Sequence, residues 1–229
     1  MPILAHFYHA ILDALFPLTS AEKTVLSYSP VRAMDELPPA PTPPLENTMS
    51  IFAYKDERVA KLVWNIKYKR EPRAVAIGGT ALFRTLEEIA GGKTTIIVPI
   101  PMTKRRRKER GYNQCELLVG EIAQLDAKRA EQTGNERKFT IKNDLLVRVH
   151  HADRQTLKSR PERLAGAKGV FAINETALDE IKASTPGALS ASTAIVIDDV
   201  ITTGSTMKEA METLRAAGFE KVLGLSLAH

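Results

Sequence analysis

From residue 51 onward, short apolar runs alternate with stretches whose apolar positions recur every three or four residues. Val59, Leu62, Val63 and Ile66 fall at i, i+3, i+4 and i+7, the spacing of one helix face. A second helix is predicted over about 74–90. The segment 94–98 (TTIIV) is β-branched and bounded by Gly91-Gly92 and Pro99, which predicts a buried strand. Asn113 with Glu116 three positions on has the form of a helix cap. Cys115, Leu118, Val119, Ile122 and Leu125 then line one face of the helix that it opens. Residues 145–149 (LLVRV) and 169–173 (GVFAI) are predicted strands around a polar connection.

The end of the chain has the clearest pattern. Ala194-Ile195-Val196-Ile197 is a buried strand, followed by a polar turn from Asp198 to Ser205. Thr206 and Glu209 fit a capping box. Met207, Ala210, Met211, Leu214 and Ala217 supply an apolar helix face, and Gly218 stands where a helix C-terminus is expected. The run 221–227 is another strand. Strand, helix and strand in that order predict an α/β fold with a mainly parallel sheet flanked by helices. Upstream, residues 4–16 (LAHFYHAILDALF) have the pattern of a short amphipathic helix. Residues 36–45 (ELPPAPTPPL) hold five prolines in ten positions, which predicts a stiff, extended segment. The chain therefore divides into an appendage over 1–35, a proline-rich linker over 36–50 and a domain over 51–229.

A length of 229 residues fits one domain plus an appendage. One cysteine, Cys115, excludes an internal disulfide framework and any multi-cysteine zinc site, so no zinc is expected and a reducing, cytoplasmic compartment is. No run of about 18 apolar residues predicts a membrane span. His6, His9 and Asp13 interrupt the moderately apolar start, which lacks a basic leader and a small-residue cleavage pattern, so no signal peptide is expected. The net charge of +5 is concentrated. The segment Lys104-Arg105-Arg106-Arg107-Lys108-Glu109-Arg110 alone carries six basic residues and one acidic, and the rest of the chain balances. That predicts a local polyanion site more than a surface that coats nucleic acid.

The candidate chemistry sits in Ile197-Asp198-Asp199-Val200-Ile201-Thr202-Thr203-Gly204-Ser205-Thr206. The segment joins the carboxyl end of a strand to a helix, the place where open parallel sheets bind ligands. Backbone N–H groups, hydroxyls and a helix N-terminus over 202–206 make a nest for a phosphate, and Gly204 allows close approach. Two carboxylates directly before such a nest repel a bare anion. They fit a ligand whose vicinal hydroxyls adjoin its phosphate, because carboxylates accept hydrogen bonds from a diol or hold magnesium there. A ribose 5-phosphate has that form. No G-x-x-x-x-G-K-[ST] or G-x-G-x-x-G loop occurs. Cys115 lies on an apolar helix face and reads as core filler. His150 and His151 lack metal-ligand spacing, and Trp64 and Tyr68, four apart, read as packing residues with an aromatic platform for nucleic acid as the alternative.

VIDDVITTGST resembles the phosphoribosyl pyrophosphate (PRPP) motif of type I phosphoribosyltransferases. IIVPIPMTKRRRKERGYNQCELL, LLVRVHHADRQTLKSRPERLAGAKGVFAI and the last 36 residues resemble, in that order, the ComF family of competence-associated phosphoribosyltransferase-like proteins. The similarity covers about 52–229. It implies a type I phosphoribosyltransferase-like sheet, PRPP as ligand and Mg²⁺ as cofactor. It implies that Asp198 and Asp199 are catalytic and hold magnesium through the ribose and pyrophosphate, with the 5-phosphate on Thr202, Thr203, Gly204, Ser205 and Thr206. Pyrophosphate falls to the loop Pro99, Ile100, Pro101, Met102 and Thr103, with Lys104, Arg110, Asn113 and Gln114. Arg148, Gln155, Arg160 and Arg163, around 150–168, resemble the mobile loop that closes over PRPP. The acceptor hood would fall at 46–75. ComF proteins usually begin with a cysteine-rich zinc module. Here LDALFP (12–17) resembles the segment before it, and no cysteines follow.

The expected activity is transfer of ribose 5-phosphate from PRPP to an acceptor. The rival expectation is a PRPP-fold scaffold for DNA-uptake or recombination proteins, or for single-stranded DNA, with Lys104–Arg110 tracking phosphates. The alternative for Arg106, Arg107 and Lys108 is a solvated or nucleic-acid-binding run; Arg106→Ala is expected to matter little for PRPP and to lower any DNA affinity and its salt slope.

Overall fold

A computed structural model describes residues 18–90, 94–149, 169–184 and 188–229. In chain order the elements are α1 (Ser20–Ser27), α2 (Pro30–Glu36), β1 (Thr48–Phe52), α3 (Glu57–Trp64), a π-helical turn (Asn65–Lys69), α4 (Pro72–Ile89), β2 (Thr95–Pro99), α5 (Lys104–Arg110), α6 (Gln114–Thr133), β3 (Phe139–Ile141), β4 (Leu146–Arg148), β5 (Phe171–Ile173), α7 (Glu175–Ser184), α8 (Ala188–Ala191), β6 (Thr193–Val200), α9 (Ser205–Ala216) and β7 (Lys221–Ala228). Five strands form one sheet in the order β1-β7-β6-β2-β3, and every pairing in it is parallel. The expected α/β fold is the observed one. All strand carboxyl ends therefore meet at one edge of the sheet.

The sheet is covered on both faces, which is why its central strands read as unbroken apolar runs. Ile97, Ile195, Ile197, Leu225 and Leu227 pack with residues of α1 to α4 and with Leu118, Val119 and Ile122 of α6. Ile96, Val98, Ala194, Val196 and Val222 pack on the other side with α7, α9 and Cys115. A Cβ on Gly224 of β7 would come within 2.7 Å of Met207 Sδ and 2.8 Å of Thr48 Cγ2. That glycine lets α9 lie close to the sheet and brings the start of α9 to the end of β6.

Three differences from the sequence reading bear on the site. The stretch read as an appendage packs into the domain: Val25 and Ala33 are fully buried in the same core as Val59 and Leu62. Ser29 accepts from the Arg32 N–H at 3.2 Å and Pro30 opens α2. The linker stretch contains β1, which begins at Thr48. Its proline-rich part is extended from Leu37 and runs along the outer edge of β1, with Ala40 N–H to Ile51 O at 2.8 Å and Ala53 N–H to Pro38 O at 2.9 Å. It blunts an edge that would otherwise offer free backbone groups. Finally, the strands expected at 145–149 and 169–173 leave the main sheet and form a separate antiparallel pair, β4 with β5. The helix expected at 4–16 lies outside the described residues, as do His150, His151, Gln155, Arg160 and Arg163.

Candidate functional site

Strand β6 delivers its last residues to the carboxyl edge, between β7 and β2. Successive strand residues point to opposite faces. Asp198 therefore meets α6, where the Cys115 thiol donates to its Oδ1 at 3.5 Å. Asp199 turns to the other face, and Lys67 Nζ of the π-helical turn lies 3.1 Å from its Oδ2. The two carboxylates read together as ligand acceptors are not placed alike. Asp199 is only 3% exposed and paired, while Asp198 is half-buried and lines an open cup.

That cup is lined by Asp198, Val200 to Thr206 and Met207, and holds about 30 Å³. This is room for one small group, far below the roughly 300–1,000 Å³ of a pocket for a whole small molecule. Gly204 is left-handed, with φ +77°, and caps α9 without a side-chain hydrogen bond. The capping box read at Thr206 and Glu209 does not form. Helix α9 starts at Ser205, and Glu209 accepts instead from the Val170 N–H of β5's leading turn. The earliest helical bond is Lys208 N–H to Gly204 O at 2.8 Å. The N–H groups of Ser205, Thr206 and Met207 thus have no acceptor within the helix and are presented at its positive end. Thr203 Oγ1 and Ser205 Oγ sit 3.1 Å apart beside them. His229 Nδ1, 2.8 Å from Ile201 O, pins the loop from behind.

The loop expected to take pyrophosphate lies after β2. Prolines carry no N–H, and the Ile100 N–H is committed to Ile197 O at 2.9 Å, so Pro99, Ile100 and Pro101 offer pyrophosphate no donor. Their role is to shape the loop. Asn113 is likewise a positioning residue. It is 1% exposed, its Oδ1 accepts from the Cys115 N–H at 3.0 Å and its Nδ2 donates to Ile100 O at 3.0 Å. The cations near this loop are on α5, whose side chains are all outside the core. Thr103 caps it by accepting from the Arg106 N–H at 3.2 Å. Arg107 pairs with Glu116. Arg110 reaches Gln114 Oε1 at 3.4 Å and stacks over Tyr68, 4.7 Å from the ring centre.

Arg148 ends β4 with its guanidinium 5.3 Å from the Phe171 ring centre. Burial, and then the Arg106 charge, pull Arg148 below the usual guanidinium value, while Glu209 and Asp198 act in the opposite sense. The Arg106 charge is thus felt at Arg148. Burial, then the charge of Asp199, push the Asp198 carboxyl from the usual 3.8 up to about 8. The same burial and both aspartates push the Cys115 thiol well up, so it stays a thiol and fills the core as expected.

The raised Asp198 has a consequence for stability. A carboxyl whose folded value lies above its unfolded one contributes stability that is whole below about pH 4 and is lost as the pH climbs towards about 8. Asp198→Asn removes that loss. The variant's melting temperature should exceed the ligand-free wild type's by a margin that grows from pH 5 to pH 8. The margin should reach at least about 2–4 °C, the equivalent of about 1 kcal/mol. A margin that does not change with pH would contradict the assignment.

A family model described as phosphoribosyl transferase domain matches residues 138–225, which contain Asp198, Asp199 and the whole cup. The chain carries a phosphoribosyltransferase domain. It is distantly homologous to competence proteins. It is 29% identical over 133 residues to competence protein F of Haemophilus influenzae, covering 58% of this chain and 49% of that protein. It is 24% identical over 174 residues to competence protein ComFC of Bacillus subtilis, covering 76% of this chain and 60% of that protein. The chain thus spans about half to three-fifths of the length of these relatives. The five-stranded parallel sheet is consistent with a type I phosphoribosyltransferase domain. No helix among the described residues is long and apolar enough to cross a membrane.

The structure also brings in residues the sequence reading passed over. Lys67 touches Asp199, and Leu45 of the proline-rich segment approaches Gly204, 3.4 Å from where its Cβ would lie. Lys67 is one of three lysines in nine residues (61–69), and nothing in the string singles it out. Trp64 and Tyr68 do pack on each other, with ring centres 5.8 Å apart, but they stay 41% and 56% exposed.

Proposed function

We propose that the domain binds PRPP across the carboxyl edge of the sheet and transfers its ribose 5-phosphate. The observation that carries this reading is the cup from Asp198 to Thr206, which puts the half-buried Asp198 carboxyl next to a left-handed glycine and the N–H groups that open α9. The 5-phosphate takes the N–H groups and hydroxyls of Thr203 to Thr206. Asp198 accepts from the ribose diol. Asp199 holds Lys67 and adds negative potential under the ring. Lys104, Arg106, Arg110 and Arg148 supply the positive field for pyrophosphate.

In the transfer, the bond from ribose C1 to the pyrophosphate oxygen breaks and both electrons leave on that oxygen. The acceptor's lone pair forms the new bond to C1, and the acceptor's proton passes to the released pyrophosphate or to water. Positive charge develops on the ring in between, where the aspartate field stabilises it. Among the described residues no cluster of three or more His, Cys, Asp or Glu could hold a metal. One accessible carboxylate fits a magnesium ion that arrives on the ligand's own oxygens. Asp198 would hold it, whereas Asp199 is taken by Lys67. Bound there, Mg²⁺ would neutralise pyrophosphate charge.

Calorimetric titration of the full chain with PRPP and Mg²⁺ tests this reading. A saturable heat, weaker with ribose 5-phosphate alone, is expected. The scaffold reading is favoured by the exposure of Lys104 to Glu109 on the basic helix α5. No PRPP heat, together with oligothymidylate binding that falls steeply with salt, would replace the transferase reading by that one.

A further inference from the structure

The phosphate cup begins at a peptide group whose direction is set from outside the loop. Ile201 is 2% exposed and packs in the same core as Met207 and Met211 of α9. Its N–H donates to Ala228 O at 3.0 Å and so extends the pairing of β6 with β7 by one residue. Its carbonyl leaves the ladder and meets a side chain, with His229 Nδ1 at 2.8 Å. A carbonyl only accepts, so Nδ1 is the ring nitrogen that carries the proton.

The ring is itself mounted on fixed backbone. The His229 N–H donates to Phe52 O at 3.1 Å, and the His229 carbonyl accepts from the Tyr54 N–H at 2.8 Å. Both partners lie at or just beyond the end of β1. The imidazole is therefore held against the sheet end, behind the loop that it bonds.

A trans peptide is planar, with its C=O and the next N–H pointing in opposite directions. Holding Ile201 O on His229 therefore turns the Thr202 N–H away from His229. Thr202 lines the cup and His229 does not. Among the described residues the Thr202 N–H has no backbone or side-chain acceptor. The N–H groups of Ser205 to Met207 are aimed by α9, which starts at Ser205. Thr202 stands outside that helix, so the helix does not set its direction. The bond to His229 does.

We propose that His229 is a positioning residue of the cup: by holding Ile201 O it aims the Thr202 N–H inward as a further donor to the 5-phosphate. The identity of the ligand rests on the PRPP reading; the aim of the peptide group rests on the geometry alone.

The test uses the full chain, ¹⁵N-labelled and titrated with ribose 5-phosphate and, separately, with pyrophosphate and Mg²⁺. In the wild type the Thr202 amide signal should move and saturate with those of 203–206 on adding ribose 5-phosphate. His229→Leu keeps bulk but no donor, and His229→Gln carries its amide one atom too far out. Both should leave the Thr202 signal nearly unmoved and weaken ribose 5-phosphate by about three- to tenfold, the effect of one hydrogen bond. Pyrophosphate affinity should stay as in the wild type. His229→Asn places an N–H where Nδ1 stands and should restore both the shift and the affinity. Wild-type affinity in His229→Leu and His229→Gln would overturn the proposal. So would a His229→Asn variant as weak as those two, or an equal loss for pyrophosphate, which would make His229 a structural residue only. If 203–206 move in the wild type and Thr202 does not, this inference falls and the PRPP reading stands. If none of 202–206 moves with ribose 5-phosphate or with PRPP, both fall.

Discussion

Replacing Asp198 and Asp199 together by asparagine is expected to all but abolish PRPP binding while the chain stays folded. Asn keeps the size of Asp, and its amide can still accept from the Asp199 and Val200 N–H groups that the carboxylates now receive at 2.8 and 2.9 Å. What is lost is the Asp198 acceptor for the ribose diol, a carboxyl that ionises on binding, and the Asp199 charge that holds Lys67 beneath the ring. A hydrogen bond to an ionised group contributes about 1.5–3 kcal/mol, and with the lost field counted at a similar size affinity weakens by about 10²- to 10⁴-fold. The two positions should not contribute alike. Asp198 lines the cup and should account for most of the loss in direct contact. Asp199 is buried against Lys67, so its removal acts by freeing that lysine and weakening the negative field below the ribose. Calorimetry on both single variants and the double variant separates the terms, and wild-type affinity in the double variant would make the acidic pair structural.

Gly204→Val is expected to act on the other end of the ligand. Gly204 has φ +77°, which a β-branched residue adopts only at a cost of about 1–3 kcal/mol. Its new Cβ would also stand 3.4 Å from Leu45 Cβ, with two further methyls to place. The loop must then shift, and the N–H groups of Ser205 to Met207 cease to converge. Affinity for PRPP and for ribose 5-phosphate should fall together, by about 10²-fold or more for the loss of two or three charge-assisted bonds. The core of α9, anchored by Met207, Ala210, Met211 and Leu214, should keep its helix content. Equal losses in Gly204→Ala and Gly204→Val would point to backbone strain, and a larger loss in Val to bulk at the cup.

The cup was legible because its parts obey local rules. An unbroken apolar run had to be a covered central strand, and a hydroxyl-rich turn with one glycine had to end it before the helix. Strand alternation already separates Asp198 from Asp199. The string did not say which face each would meet, since that depends on Lys67 and Cys115, 132 and 83 positions away in the chain. Pairing across such distances leaves no periodic trace. Thr206 and Glu209 matched a capping box by spacing, yet the left-handed Gly204 starts α9 at Ser205 and leaves Glu209 free to reach Val170. Helices α1 and α2 were hidden by their length, at eight and seven residues, too short for a helical period to stand out. Strand β1 was hidden beside the prolines that cover its edge. Trp64 and Tyr68 were read as packing residues because aromatic residues usually are; the π-helical turn after Trp64 leaves both at the surface.

Backbone amide shifts on titration with PRPP and Mg²⁺ test the assignment of the cup most directly. In ¹⁵N-resolved spectra the N–H signals of Thr203, Gly204, Ser205 and Thr206 should move and saturate together. The Asp198→Asn, Asp199→Asn variant should show none of this at the same ligand concentration. Shifts confined to Lys104–Arg110, with the signals of 203–206 unmoved, would place the ligand on the basic helix and contradict a phosphate site at the start of α9.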